Sequence, residues 1–404
     1  MTAFHLAHTY PDKQITWYFP EENNPIGVGE ALVPAVSEFL ANLDITHQDI
    51  IKHCNGSLKV GLKFDNWNHD GESYYFPFGI VDQKAAHNST SLLMIMKEDK
   101  VPPHILDYAD VSTQFRTTEM LSYLDTLVGR YPNLNVIREK TSKEQLEGTW
   151  DLLIDSTGFG RFISKKPNNF KSIQHIIPNN KAFVYRSPYT DRSAQQKPYS
   201  TFTAKDYGWI WHIPLRDNIA FGYVHHDKYD VKQQFIDHVE GVLGHAIDPS
   251  NIREVKFMGG RDEIHLENNV VGIGLSSSFI EPLESTGLYL TTSAIHKLCN
   301  YIDGNITEQQ YNDSVNEFYD RLTNFIAGHY KYSNRPGPYW DHYRSLDVTP
   351  YVPMDIFPTV SWDWILSGFG ISPVPKNPVD PLELIAIKRG QPFHEWIQDD
   401  NNIK

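Results

Sequence analysis

Apolar residues recur along this chain with two periods. Spacings of three and four predict helices in TAFHLAHTY near the start and in TEMLSYLDTLVGRY (118–131). The same spacing places Val33, Val36, Phe39, Leu40 and Leu43 on one helical face, with Pro34 suited to the first turn. A long helix is predicted from Thr307, where Thr307 and Gln310 form a capping box. Tyr311, Val315, Phe318, Leu322 and Phe325 make its buried face. Strands are predicted at KQITWYF (13–19), NVIRE and WDLLIDSTGFG (150–160). A meander runs from KAFVYR through STFTAK and YGWIWHIPL to NIAFGYVHH. Residues 55–67, NGSLKVGLKFDNW, alternate strictly: Leu58, Val60, Leu62 and Phe64 share one face, and Lys59, Gly61, Lys63, Asp65 and Trp67 the other. VVGIGLSSSF (270–279) is a continuous apolar run, as expected of a parallel strand buried on both faces. It leads through EPLESTGLYL into a helix. The C-terminal part is rich in proline and aromatics and ends in a polar tail expected to fray.

These elements predict an α/β fold. A Rossmann-like nucleotide-binding layer is interleaved with a second module made of a β-sheet and helices. No linker separates them. The expected division assigns 1–54, 105–165 and 255–300 to the first module, and 55–104, 166–254 and 301–404 to the second.

Composition narrows the function. The 404 residues include 36 Lys plus Arg against 50 Asp plus Glu, a net charge of −14. That argues against nucleic acid and against an anionic membrane as partners. Cys54 and Cys299 stand far apart, so neither a zinc motif nor a disulfide framework is suggested. No apolar run reaches membrane-spanning length, and MTAFHLAHTYPDKQ lacks an export-type apolar stretch. A cytoplasmic protein is the expectation.

The candidate chemistry gathers around EPLESTGLYL. Ser285, Thr286 and Gly287 fall at a helix N-terminus, where unpaired N–H groups and the helix dipole favour an anion. Glu284 lies beside it, so one junction could serve an anion on one side and a carboxylate on the other. Ordinary helix capping explains the same residues. Lys59 shares its face with Gly61 and Trp67, which fits a covered cavity as well as solvent. Trp209 and Trp211 alternate in GWIWHIPL and would stand side by side like a wall, or simply pack in the core. His225, His226 and Asp227 read as surface. PIGVGE resembles a dinucleotide-approach turn without matching GxGxxG.

The ordered set IGVGEALVP (26–34), NGSLKVGLKFDNW (55–67), DSTGFG (155–160), GWIWHIPL (208–215), GRDEI (260–264), IGLSSSFIEPLESTGLYL (273–290) and FIAGHY (325–330) resembles the flavin-dependent halogenases of the tryptophan halogenase type. The likeness covers nearly the whole chain. It implies a flavin-monooxygenase-type FAD fold. It implies use of FADH2 from a separate, diffusing flavin reductase, with O2 and chloride, bromide or iodide as co-substrates. Hypohalous acid would then travel through an internal tunnel to an electron-rich aromatic, an indole, phenol or pyrrole, free or carrier-bound.

By this resemblance Lys59 is the active-site lysine, either polarising hypohalous acid as an ammonium or forming a haloamine as an amine. Glu284 is the carboxylate that orients the oxidant or takes the ring proton. Thr286 and Gly287 form the halide site. Ile26, Gly27, Val28, Gly29, Glu30 and Ala31 form the strap along FAD, and Asp155, Gly158, Ser285, Thr286, Gly287 and Leu288 are further cofactor contacts. Trp209 and Trp211 wall the flavin from the substrate. The family's residues that grip free tryptophan have no convincing match in this sequence; Phe357 and Trp362 could line a substrate pocket, with Tyr351 a loose candidate for a polar contact. The family's first strand and GxGxxG turn have no counterpart in the sequence. A homodimer stays open. A flavin monooxygenase relative and a scaffold without bound flavin are the alternative readings.

Overall fold

The computed structural model describes residues 1–20, 29–79, 89–146, 150–352, 354, 357–375 and 379–403. Its largest sheet has seven strands, in the order Arg253–Lys256, Lys181–Pro188, Asn218–His225, Gly208–Pro214, Ser200–Lys205, Gly61–Asp65 and Ser73–Pro77. All neighbours are antiparallel except Ser200–Lys205 with Gly61–Asp65, which run parallel. The predicted meander supplies the centre. Its middle strand is apolar at nearly every position because both faces are covered. Trp209, Trp211 and Ile213 face a core shared with the helices Glu308–Lys331 and Thr359–Gly368. Ile210 faces a smaller core closed by the helix Lys232–Leu243.

The other layer is built from short strands and helices. Ile15–Tyr18 runs parallel to Leu134–Ile137, and Leu153–Asp155 runs parallel to Val270–Gly272. Gly29–Ala31, Ser112–Arg116 and Ser57–Lys59 form a separate antiparallel sheet. The helices Thr2–Thr9, Pro34–Ala41, Thr117–Leu127 and Gly287–Ile302 pack with these strands around Phe4, Val36, Leu58, Leu124 and Leu298. The capping box at Thr307 and Gln310 is present, and the helix it starts runs to Lys331.

Four expectations are corrected. The alternating segment 55–67 is two strands, broken at Val60, and they belong to different sheets. Period-2 alternation continues through the break, so the pattern hides it. VVGIGLSSSF is likewise not one strand. It breaks after Gly272 into a 3₁₀ turn at Gly274–Ser276 and a two-residue strand, Ser278–Phe279. The polar tail does not fray over 391–403: Phe393, Trp396 and Ile403 are buried, and Gln391–Pro392 pairs with Lys100–Val101. His225 is buried against Phe183 rather than on the surface, while His226 sits 3.0 Å from Asp227.

Candidate active site

Lys59 ends its short strand fully buried. Its Nζ donates to the Leu32 carbonyl at 3.1 Å and to Ser285 Oγ at 2.9 Å, and lies 5.2 Å from the centre of the Phe78 ring. Burial pushes its pKa down to about 7, and the charge of Glu284 partly offsets that push. Both the ammonium and the free amine are therefore populated near neutral pH. Of the two readings the alternating strand left open for Lys59, covered cavity or solvent, the structure shows the covered one, and the groups that meet its Nζ come from distant segments, Leu32 and Ser285.

Glu284 sits in the 3₁₀ turn Leu283–Ser285 and is also fully buried. Its φ is +63° and that of Ser285 is +60°. Consecutive left-handed non-glycine residues are costly, about 1–3 kcal/mol each, and such strain clusters at functional sites. The turn separates the two side chains: Ser285 meets Lys59, while Glu284 Oε1 lies 3.1 Å from Nε2 of His329. His329 comes from the FIAGHY stretch, to which no role was attached.

The helix that follows, Gly287–Ile302, carries no side-chain cap. Capping therefore does not account for the residues at its start. Thr286 is buried, its hydroxyl turned back to the Leu283 carbonyl at 3.4 Å. A side chain at Gly287 would meet only the Phe279 ring, at 3.8 Å. Leu288 packs into the first core, so only its backbone is free for a ligand.

Asp155 works within the protein. Despite burial, which opposes its ionisation, its carboxyl is held below the usual range by Thr157 Oγ1 and by the amides of Thr157, Ile163 and Ser164. It braces the turn at Gly158, whose φ of +71° suits glycine and where an added side chain would meet no atom within 4 Å. The Asp155 carbonyl accepts from Ser276 Oγ and from the Ile273 amide, tying this turn to the loop leading to Glu284. Of the strap, Gly29, Glu30 and Ala31 pair with Arg116, Phe115 and Gln114. Burial raises Glu30 to about 7. Ile26, Gly27 and Val28 lie outside the described residues.

Trp209 and Trp211 stand on one face of their strand, both buried. Trp209 packs against Trp67, and Trp67 lies edge-on to His329. The wall thus connects through one ring to the Glu284 pair. Phe357 stacks on Phe325 with centroids 4.1 Å apart, and Trp362 meets Phe325 edge-on. Tyr351 lies outside this cluster, exposed and bonded to Asp363.

These residues fit a bound flavin and halide: the helix start carries no side-chain cap, and an added Cβ would meet no atom within 4 Å at Gly158 and only the Phe279 ring, at 3.8 Å, at Gly287. The tryptophan halogenase family model matches residues 1–124 and 135–381. The 7-chloro-L-tryptophan 6-halogenase KtzR of Kutzneria sp. (strain 744) is 26% identical over 405 aligned residues, covering 84% of this chain and 78% of its own. The tryptophan 7-halogenase RebH of Lentzea aerocolonigenes is 24% identical, with 80% and 72% covered. In structure the chain is similar to BrvH, a flavin-dependent halogenase from Brevundimonas sp. BAL3, with a TM-score of 0.79 at 22% identity over 98% of this chain and 95% of that one. The chain belongs to the tryptophan halogenase family, flavin-dependent enzymes that halogenate aromatic substrates.

Proposed function

We propose that Lys59 and Glu284 transfer halogen to an electron-rich aromatic ring inside this protein. The observation that carries the reading is the turn Leu283–Ser285. Its strained backbone puts a buried carboxylate and the partner of a buried lysine on adjacent residues, directly before an uncapped helix start.

Bound reduced FAD with O2 supplies the two-electron oxidation of halide to hypohalous acid. The strap 26–31, Gly158 and the first turn at Thr286–Leu288 would hold the cofactor. The amides of Thr286 and Gly287 would hold the halide, with the helix dipole adding to their pull. Trp209 and Trp211 keep the flavin and the substrate apart. Lys59 as an ammonium donates to the hypohalous oxygen, so that the oxygen leaves as water while the carbon–halogen bond forms. The ring then loses its proton to Glu284. As a free amine, Lys59 would instead carry the halogen, and its pKa near 7 permits both routes.

The relatives named above act on tryptophan and its 7-chloro derivative. For this chain the proposed substrate is an electron-rich aromatic, an indole, phenol or pyrrole, free or carrier-bound. The proposed modules are 1–54, 105–165 and 255–300 for the flavin and the remainder for the substrate. A diffusing reductase completes the cycle. Among the described residues, no helix is long and apolar enough to cross a membrane.

The test is Lys59→Ala, assayed with reduced FAD, bromide and indole. Brominated product should vanish while hydrogen peroxide still forms from the reduced flavin. Persistent bromination would remove Lys59 from the mechanism. Glu284→Gln should slow bromination by about 100-fold or more with flavin affinity retained. Lost flavin binding would make Glu284 structural.

A further inference from the structure

His329 is fully buried, and aromatic rings crowd it. Phe64 stacks on it, 5.1 Å away at 11°. Phe325 and Trp67 meet it edge-on, at 5.4 Å and 6.3 Å. Its neighbour Gly328 fixes this placement from behind. A Cβ there would lie 2.6 Å from the Trp362 ring, so the helix approaches Trp362 as closely as glycine allows.

In this apolar cage His329 meets the carboxylate of Glu284, Oε1 to Nε2 at 3.1 Å. The pair lies off the line of an aligned hydrogen bond, and neither His329 nitrogen nor either Glu284 oxygen has another partner among the described residues. A phenylalanine would fill the same volume at no polar cost, whereas an unpaired buried imidazole and carboxylate are each expensive. The titratable groups around the carboxylate are Lys59, the Tyr74 phenol and His329. Burial first, then the charge of Glu284, holds the Tyr74 phenol neutral.

We propose that His329 is a positioning residue for Glu284. Its Nε2–H engages Oε1 and so leaves Oε2 as the oxygen that receives the ring proton. This deepens the halogenation reading and rests on it. The proton balance is simple: the C–H electron pair stays with the ring, the proton goes to Oε2, and the imidazole keeps its own proton throughout.

Two measurements test this. In protein labelled with 15N-histidine, the His329 ring signals are those missing from His329→Phe. They should report the Nε2–H tautomer and should move in Glu284→Gln. An Nδ1–H tautomer, or signals that Glu284→Gln leaves in place, would overturn the proposal. In the second measurement, bromide and reduced FAD are supplied with either a hypobromite trap or indole. His329→Phe keeps the ring stack and should brominate indole about 100-fold more slowly, with trapped hypobromite unchanged. His329→Gln, which restores an N–H donor, should recover most of the lost rate. Equal bromination by His329→Phe, or parallel loss of hypobromite, would overturn it. A wild type that makes no hypobromite would sink the halogenation reading instead, and the tautomer measurement would still decide the His329–Glu284 bond.

Discussion

Lys59 is a cation folded into a site that disfavours charge. Its pKa of about 7 lies below the ordinary 10.5, so between these values the unfolded chain binds more protons at this position than the folded one. Stability from this group therefore rises with pH across that window, by up to about 1.4 kcal/mol per pH unit. Lys59→Met removes the effect. Thermal unfolding should show the wild type gaining on Lys59→Met from pH 7 towards pH 10. A constant difference between the two would mean that Lys59 is charged in the fold. Glu284 and Lys59 stood out in the sequence as candidates by their motifs, and the structure buries both at one turn. His329 did not stand out: a histidine four residues after Phe325 on an apolar helix face reads as core. Nor did the bond from Ser285 to Lys59, since left-handed φ at Glu284 and Ser285, which splits the turn between two partners, leaves no local trace in residue type.

At the scale of elements, the tryptophan wall depends on its neighbouring strand. Trp211 lies opposite Gly222, and a Cβ there would stand 2.2 Å from the indole ring. Gly222→Ala should therefore displace Trp211, destabilise the fold by about 1–3 kcal/mol in chemical denaturation, and lower brominated product per flavin oxidised. Unchanged product yield would show that Trp211 is not part of the barrier. Elements with purely local causes were legible: the capping box at Thr307, the meander, and the proline-started helix at Pro34. Strand ends at Val60 and Gly272 were not. Partners from elsewhere in the chain decide where those ladders stop, and the apolar pattern runs on past both.

At the scale of the whole molecule, the α/β class follows from alternating periods along the chain, and the parallel pairs Ile15–Tyr18 with Leu134–Ile137 and Leu153–Asp155 with Val270–Gly272 bear it out. Assignment of each segment to a core was harder to read. Phe393, Trp396 and Ile403, at the end of the chain, pack with Phe4 and Leu58 from its beginning. If the reductase contributes only diffusing cofactor, photoreduced FAD should support indole bromination as well as the enzyme-coupled supply does. A rate that depends on one particular reductase at equal reduced-FAD concentration would point to a docked partner.

Val60 joins the two layers in a single residue. Its N–H is held by the Pro198 carbonyl at 2.8 Å and its own carbonyl by the Phe78 amide at 3.0 Å. On one side of it is Lys59, and on the other begins the sheet that carries the tryptophans. A joint committed in both directions works as a rivet rather than a hinge. If the oxidant forms in one layer and reacts in the other, as proposed, the spacing between the two is set at this residue.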